Sequence, residues 1–201
     1  YFLFDERTPT LLTRSAALNM DLRPYLESGL LELRAIDPAE LSPGEFAALI
    51  QNSVENCGAK VVVIDSLNAY LQSMPNEQFL VLQMREMLSY LGQKGVISLL
   101  ILGLHGVAGD IRSDLDLSYL SDTVVQLRYF EAYGEVRQAI SVIKTRTARH
   151  ERTIREFQIQ HDGLQLGEPL VHFQGVLTGV PTFSGESQKL MASQTDQTPP
   201  R

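Results

Sequence analysis

Apolar runs alternate with amphipathic stretches over the first half of the chain. The apolar runs YFLF, LLELRAI, KVVVIDSL and VISLLILGL predict four strands. The stretches TPTLLTRSAALNM, SPGEFAALIQNSVENCG and NEQFLVLQMREMLSYLGQKG, which lie between them, predict three helices. This β-α-β-α-β-α-β order predicts an α/β fold with a mostly parallel sheet flanked by helices. The run in KVVVIDSL does not alternate, which is expected when helices cover both faces of the sheet.

Local signals predict where two of these helices begin. Thr8 is a candidate N-cap residue, with Pro9 at the first helical position. Ser42 precedes Glu45 by three residues, which predicts a capping box. Gly58 is expected to end the second helix.

The pattern changes after the fourth apolar run. Residues 105–122, HGVAGDIRSDLDLSYLSD, are polar and too numerous for an ordinary connection, which is typical of a functional loop. Two strand pairs are then predicted around Tyr133-Gly134 and Asp162-Gly163, so an antiparallel extension follows the parallel part. We expect one domain over residues 1–183 and a flexible tail over residues 184–201, which lack an apolar period.

Composition narrows the functional classes. Apolar residues make up 44% of the 201 residues and charged residues 20%, as in globular proteins. The net charge of -7 disfavours a protein that coats nucleic acid, because neutralising phosphates requires Lys and Arg. The single cysteine, Cys57, excludes an internal disulfide and is expected to be packed. No apolar run approaches the roughly 18 residues of a membrane span, so we expect a cytoplasmic protein without membrane contact.

Acidic residues follow two of the predicted strands. Asp65 and Ser66 end KVVVIDSL, at the edge where parallel sheets bind ligands and where phosphate-transfer enzymes hold magnesium. The alternative is an ordinary aspartate that caps the next helix. Asp5 and Glu6 end the first strand, and one of them could polarise a water molecule. The alternative is a solvated turn in which Arg7 pairs with one acid.

Basic residues cluster in KTRTARHER, residues 144–152. If the strand continues, Lys144, Arg146 and Ala148 lie on one face, and the two cations could reach the same anion. The alternative is a charged strand edge that discourages aggregation. The histidines have no spacing typical of a metal site, although His105 follows a core strand near the expected ligand crevice.

Five segments in order carry a resemblance to a known family. These are FDER, VVVIDSL, LSYLSDTVVQLRYFE, KTRTARHERTIREFQI and GEPLVHFQGVLTGVPT. Together they resemble the KaiC family of RecA-superfamily ATPases, from Tyr1 to about Phe183. The resemblance implies a RecA-like core, a ring that is expected to be a hexamer, and ATP with Mg²⁺ bound between neighbouring subunits.

The resemblance also implies roles for the acids. Asp5 and Glu6 correspond to the paired catalytic carboxylates of the family. Asp65 corresponds to the Walker B acid that holds Mg²⁺, and Ser66 to the hydroxyl beside it.

The resemblance assigns the cations to a neighbour's nucleotide. Lys144 and Arg146 correspond to the pair that reaches the γ-phosphate of the adjacent subunit, like an arginine finger. His150 and Arg152 correspond to residues that contact the nucleotide from the same side. The chain departs from the family pattern at residues 147–148, where Thr and Ala replace Gly and Ser or Thr.

The polar loop corresponds to a loop that is phosphorylated in KaiC. Ser118 fits the serine of that loop, whereas Tyr119 stands where a threonine is expected, and Ser113 falls near another hydroxyl position. Autophosphorylation at Ser118 is therefore a hypothesis, and a polar loop that faces the ring channel is the alternative.

A phosphate loop of the form GxxxxGK[ST] is missing from these residues. We expect it upstream of Tyr1, because it precedes this first strand in RecA-like domains. The sequence thus predicts an ATP-hydrolysing ring protein with an autokinase or signalling role. One alternative is a non-catalytic oligomeric scaffold that binds a signalling partner. Another is a DNA-dependent ATPase of the same superfamily, which the acidic charge disfavours.

Overall fold

A computed structural model describes residues 1–72, 77–103, 118–146, 149–178, 181–184 and 190–191. The chain divides into two compact units, Tyr1–Gly103 and Leu104–Arg201, and each is described by itself. The predicted division at residue 183 stays a prediction. No helix within the described ranges is long and apolar enough to cross a membrane.

The first unit is an α/β unit around a parallel sheet. Its elements in chain order are β1 (Phe2–Leu3), α1 (Thr8–Ala17), α2 (Arg23–Glu27), β2 (Arg34–Ala35), α3 (Pro43–Glu55), β3 (Val61–Asp65), α4 (Leu67–Gln72), α5 (Glu77–Gln93) and β4 (Ile97–Ile101). The strands lie in the order β2-β1-β3-β4, and every neighbouring pair is parallel. The predicted mostly parallel α/β sheet is confirmed.

Aromatic side chains fill the core of this unit. Phe46 of α3 is 1% exposed, and its ring lies 5.2 Å from the rings of both Phe2 and Phe4 and 5.1 Å from that of Tyr70. Ile64 of β3 is fully buried beside them. Because Phe4 precedes Asp5 directly and Tyr70 lies in the helix after Ser66, this core fixes the backbone on both sides of the predicted acidic site.

The opposite face of the sheet departs from the prediction. Val61, Ile97, Leu99 and Ile101 are 42–61% exposed within the described part of the chain. Helices therefore cover one face of this sheet, and the expectation of two covered faces is wrong for these residues.

The structure confirms one of the two predicted helix starts. Ser42 Oγ accepts from the Glu45 amide at 3.3 Å and Glu45 Oε2 accepts from the Ser42 amide at 2.9 Å, so the predicted capping box is confirmed. Helix α1 begins one residue earlier than expected. Thr8 is already helical, and Arg7 is the N-cap residue without a side-chain cap bond. Cys57 is exposed, so its predicted packing is wrong.

The second unit is built on antiparallel strands. Its elements are a 3-10 helix (Ser118–Leu120), β5 (Thr123–Ala132), β6 (Glu135–Thr145), β7 (Arg155–Gln160), β8 (Gly163–Pro169), β9 (Phe173–Gln174), a second 3-10 helix (Val176–Thr178) and β10 (Thr182–Phe183). Strands β5-β6-β7-β8 form one antiparallel sheet and β9-β10 a small one. Tyr133 and Gly134 have φ values of 55° and 76°, as a two-residue hairpin turn requires. The predicted antiparallel extension is confirmed.

Candidate functional site

The ends of β1 and β3 converge in the first unit. The two strands are parallel neighbours, and the amide of Phe4 donates to the carbonyl of Asp65 at 2.7 Å. The next residues along each strand then meet, because Ser66 Oγ donates a hydrogen bond to Asp5 Oδ2. The peptide bond between Asp65 and Ser66 is cis. Two predicted carboxylates and the predicted hydroxyl thus lie together at the carboxyl edge of the sheet.

Asp65 has a partner that sequence reasoning missed. The phenol of Tyr1 donates to Asp65 Oδ2 at 2.6 Å. Burial raises the pKa of Tyr1 well above its ordinary value, and the hydrogen bond to Asp65 adds to this shift. Tyr1 therefore stays a proton donor at neutral pH and fixes the orientation of the carboxylate. No local signal links the two residues, since 64 positions separate them.

Glu6 is paired with an arginine that sequence reasoning did not name. Arg14 Nη2 lies 2.7 Å from Glu6 Oε2, and the Glu6 side chain is 24% exposed. The partner of Glu6 is thus Arg14 of α1, and not the Arg7 of the alternative interpretation. The helix predicted after Glu6 is a signal that could have identified Arg14, because this cation lies about two turns along that helix. The Arg14 side chain is 58% exposed, so the pair contributes little stability by itself.

Asn68 joins the ends of β3 and β4. Its side-chain amide donates to the carbonyl of Gly103 at 2.8 Å and accepts from the Gly103 amide at 2.6 Å. This contact was not predicted either. It ties the segment after Ser66 to the end of the neighbouring strand, and so stabilises the edge on which the acids lie.

The donor atoms at this edge suit magnesium better than a soft metal. Asp5, Asp65 and Ser66 offer carboxylate and hydroxyl oxygens, which are the ligands of hard cations. Within the described ranges no group of three or more His, Cys, Asp and Glu side chains could hold a metal alone. Magnesium commonly takes one or two carboxylates and completes its shell with water and phosphate oxygens. The residues therefore fit Mg²⁺ that arrives with a phosphate ligand.

The predicted cations belong to the second unit. Strand β6 ends at Thr145, so Arg146 lies in a bend and not on a strand face shared with Lys144, as had been expected. The Arg146 guanidinium contacts Asp122 Oδ1 at 3.4 Å and donates to the carbonyl of Tyr119. Its amide donates to the carbonyl of Asp122 at 2.9 Å. Arg146 is thus held against the segment that leads into β5.

The remaining candidates have simpler surroundings. His150 is half-buried and Arg152 is exposed, both in the irregular segment before β7. Ser118 begins the first 3-10 helix, and its side chain lies outside the described residues. His105, Ser113 and residues 147–148 also lie outside them.

Known proteins match this chain over most of its length. A profile of the family described as "ATPase: KaiC" matches residues 1–171. The chain is 26% identical over 192 residues to circadian clock protein KaiC3 of Synechocystis, which covers 93% of this chain and 37% of that protein. It is 25% identical to the circadian clock oscillator protein KaiC of Synechococcus elongatus, over 90% of this chain and 35% of the relative. The chain thus spans about a third of the length of these relatives.

Proposed function

Because the chain belongs to the KaiC family of ATPases, we propose that its first unit supplies the acidic wall of a site that binds and hydrolyses ATP. The observation that carries this proposal is the contact between Ser66 and Asp5, which brings two separate strand ends to one point. Asp5, Glu6 and Asp65 then face a ligand from the edge where α/β sheets bind nucleotides.

The three acids divide two tasks in this proposal. Glu6 accepts a proton from the water that attacks the terminal phosphate, and Arg14 holds its carboxylate in place through the 2.7 Å contact. Asp65 and Asp5 are the residues that would hold Mg²⁺. When bound, Mg²⁺ would neutralise the negative charge that builds up on the phosphates. The phenol of Tyr1 keeps Asp65 oriented toward the edge of the sheet.

The cations of the second unit act on a neighbour's ATP in this proposal. Lys144 and Arg146 reach the γ-phosphate, whereas His150 and Arg152 contact the nucleotide from the same side. The guanidinium of Arg146 would exchange its contacts with Asp122 and the Tyr119 carbonyl for a phosphate. A phosphate can accept two parallel hydrogen bonds from the guanidinium fork, whereas Asp122 Oδ1 makes one contact with it at 3.4 Å. Such a site requires an oligomer, and a hexameric ring with an autokinase or signalling role is the form we propose.

Replacement of Glu6 by glutamine tests the acidic wall. The amide keeps the size of the side chain but cannot accept the proton, so we expect kcat for phosphate release to fall about 10²–10⁴-fold. The affinity for Mg-ATP, measured by calorimetry, should change less than about threefold, since Glu6 does not hold the phosphates in this proposal. Glu27→Gln is the matched control, because Glu27 is an exposed residue at the end of α2.

The controls decide the assignment of Glu6. Unchanged turnover in Glu6→Gln would show that this residue is not the base. Equal losses in Glu6→Gln and Glu27→Gln would point to a general effect of surface charge.

A second candidate function is a non-catalytic oligomeric module. It is favoured by the pairing of Glu6 with Arg14 and of Arg146 with Asp122, since both predicted catalytic groups already have protein partners. Calorimetry with Mg-ATP together with a phosphate-release assay separates the candidates. Binding without phosphate release, unaffected by Glu6→Gln, would support the module.

A further inference from the structure

A buried ion pair in the second unit has no role in the proposed ATP site. Arg137 of β6 and Glu156 of β7 are 10% and 3% exposed, and Arg137 Nη1 lies 2.8 Å from Glu156 Oε1. Removing two charges from water is costly, so a buried pair is by itself weak evidence for stability. The other hydrogen bonds that these two side chains make indicate a second role.

The ion pair binds the main chain of Met191 on both sides. The Met191 amide donates to Glu156 Oε2 at 2.7 Å, and the Met191 carbonyl accepts from Arg137 Nη1 at 2.9 Å. Both polar main-chain groups of one residue are therefore satisfied by buried charged side chains. Charge-assisted bonds of this kind are about twice as strong as neutral ones.

Two further features fit the same segment. Leu190 packs against the apolar core of the second unit, which is formed by Phe130, Ala132, Ala139, Leu170, Phe173 and Val176. Gly167 of β8 lies under the Met191 side chain, and a Cβ there would come within 2.9 Å of Met191 Cγ and 3.1 Å of Sδ. A Cβ at this position would force the Met191 side chain to shift, so glycine leaves room for its close approach.

We propose that Arg137, Glu156 and Gly167 form a binding site for an extended peptide, and that its occupant is the chain's own segment at residues 190–191. The site recognises an apolar side chain followed by a residue whose amide and carbonyl are both free to pair. It selects the main chain at residue 191, so proline is excluded there because it lacks the amide donor. The proposal concerns only the second unit and does not depend on ATP binding.

Leu190 and Met191 belong to the C-terminal tail that the sequence predicts over residues 184–201, which stays a prediction. Residues 184–201 have the composition of a flexible segment, but Leu190 and Met191 are held on the sheet.

Trypsin cleavage after Lys189 tests the site in the full chain. While Leu190 is docked, the protease cannot reach the bond after Lys189. Release of the segment should therefore make cleavage at this bond faster. We expect Met191→Pro and Gly167→Ala each to be cut at least tenfold faster than the wild type. Gly92→Ala should leave the rate unchanged, because a Cβ at Gly92 meets nothing within 4 Å.

A double variant separates release from misfolding. Gly167→Ala with Met191→Ala removes the crowded side-chain atoms and keeps the main-chain donors, so slow cleavage should return. Met191→Pro leaves the sheet residues intact and provides a second measurement if Gly167→Ala unfolds. Wild-type cleavage rates in Met191→Pro would overturn the proposal, and so would fast cleavage in the double variant. Protection that rises with protein concentration would also overturn it, because the segment of a second copy would then fill the site.

Discussion

Replacing Phe46 by alanine removes the ring around which the other aromatic side chains of the first unit pack. Phe46 is 1% exposed and contacts the rings of Phe2, Phe4 and Tyr70 at centroid distances of 5.1–5.2 Å. Truncation of a buried phenylalanine costs about 3–5 kcal/mol. Each aromatic pair adds roughly 0.5–1.5 kcal/mol beyond the buried area, so we expect the upper part of that range.

A local measurement is needed, because the two compact units need not unfold together. Hydrogen exchange of the β3 amides, Val61–Asp65, reports the opening of the sheet next to this core. A loss of 4 kcal/mol corresponds to an increase in the opening constant of roughly 10³-fold, at about 1.4 kcal/mol per tenfold change. Phe79→Ala is the matched control, since Phe79 is 53% exposed in the same unit, and it should change exchange less than about tenfold.

The same experiment can refute the reasoning. If exchange of β3 in Phe46→Ala stays within tenfold of the wild type, the aromatic core does not hold the strand that carries Asp65. If Phe79→Ala has the same effect as Phe46→Ala, burial is not what sets the cost.

Two further predictions concern pH and the second unit. Burial raises the pKa of Tyr70 from 10.0 to about 12, so above pH 10 the unfolded chain loses this proton before the folded chain does, and stability falls as pH rises. Tyr70→Phe should remove about 2 kcal/mol of that fall between roughly pH 9 and pH 11.5, measured from the urea unfolding transition of the first unit. An identical fall in both proteins would contradict the assignment. Arg146→Ala should lower kcat for ATP at least about 10³-fold with little change in ATP binding; turnover at the wild-type rate, or an equal loss in the control Arg23→Ala, would show that Arg146 is not the finger.

Local sequence signals predicted the parts of the fold that depend on neighbouring residues. The capping box at Ser42 and the hairpin turn at Tyr133-Gly134 each involve residues within three positions of one another. The parallel sheet followed from the alternation of element types. The exposed face was not predictable in this way, because an apolar strand such as β3 shows what can be buried and not which element covers it.

The candidate site likewise contains parts that the sequence could predict and parts that it could not. Asp5 and Ser66 were each singled out because they follow predicted parallel strands, whose carboxyl ends share one edge, but their contact with each other was not predicted. Tyr1 and Arg14 were missed, because their contacts depend on how side chains lie across the folded unit. Strand β6 ends at Thr145, and Arg146 contacts Asp122. A period of two in the sequence shows neither where the strand ends nor this contact.

The contact between Asp5 and Ser66 joins residues 61 positions apart, and this has a consequence for the order of folding. Hairpins such as β5-β6, closed by a two-residue turn, form within about 1–10 μs. The pairing of β1 with β3 must first close a long stretch of chain, which is slower and entropically costly. The acidic edge is therefore assembled late. A ligand that needs both Asp5 and Asp65 would bind only chains that have completed this step, and mass action would then draw incomplete chains toward the folded state.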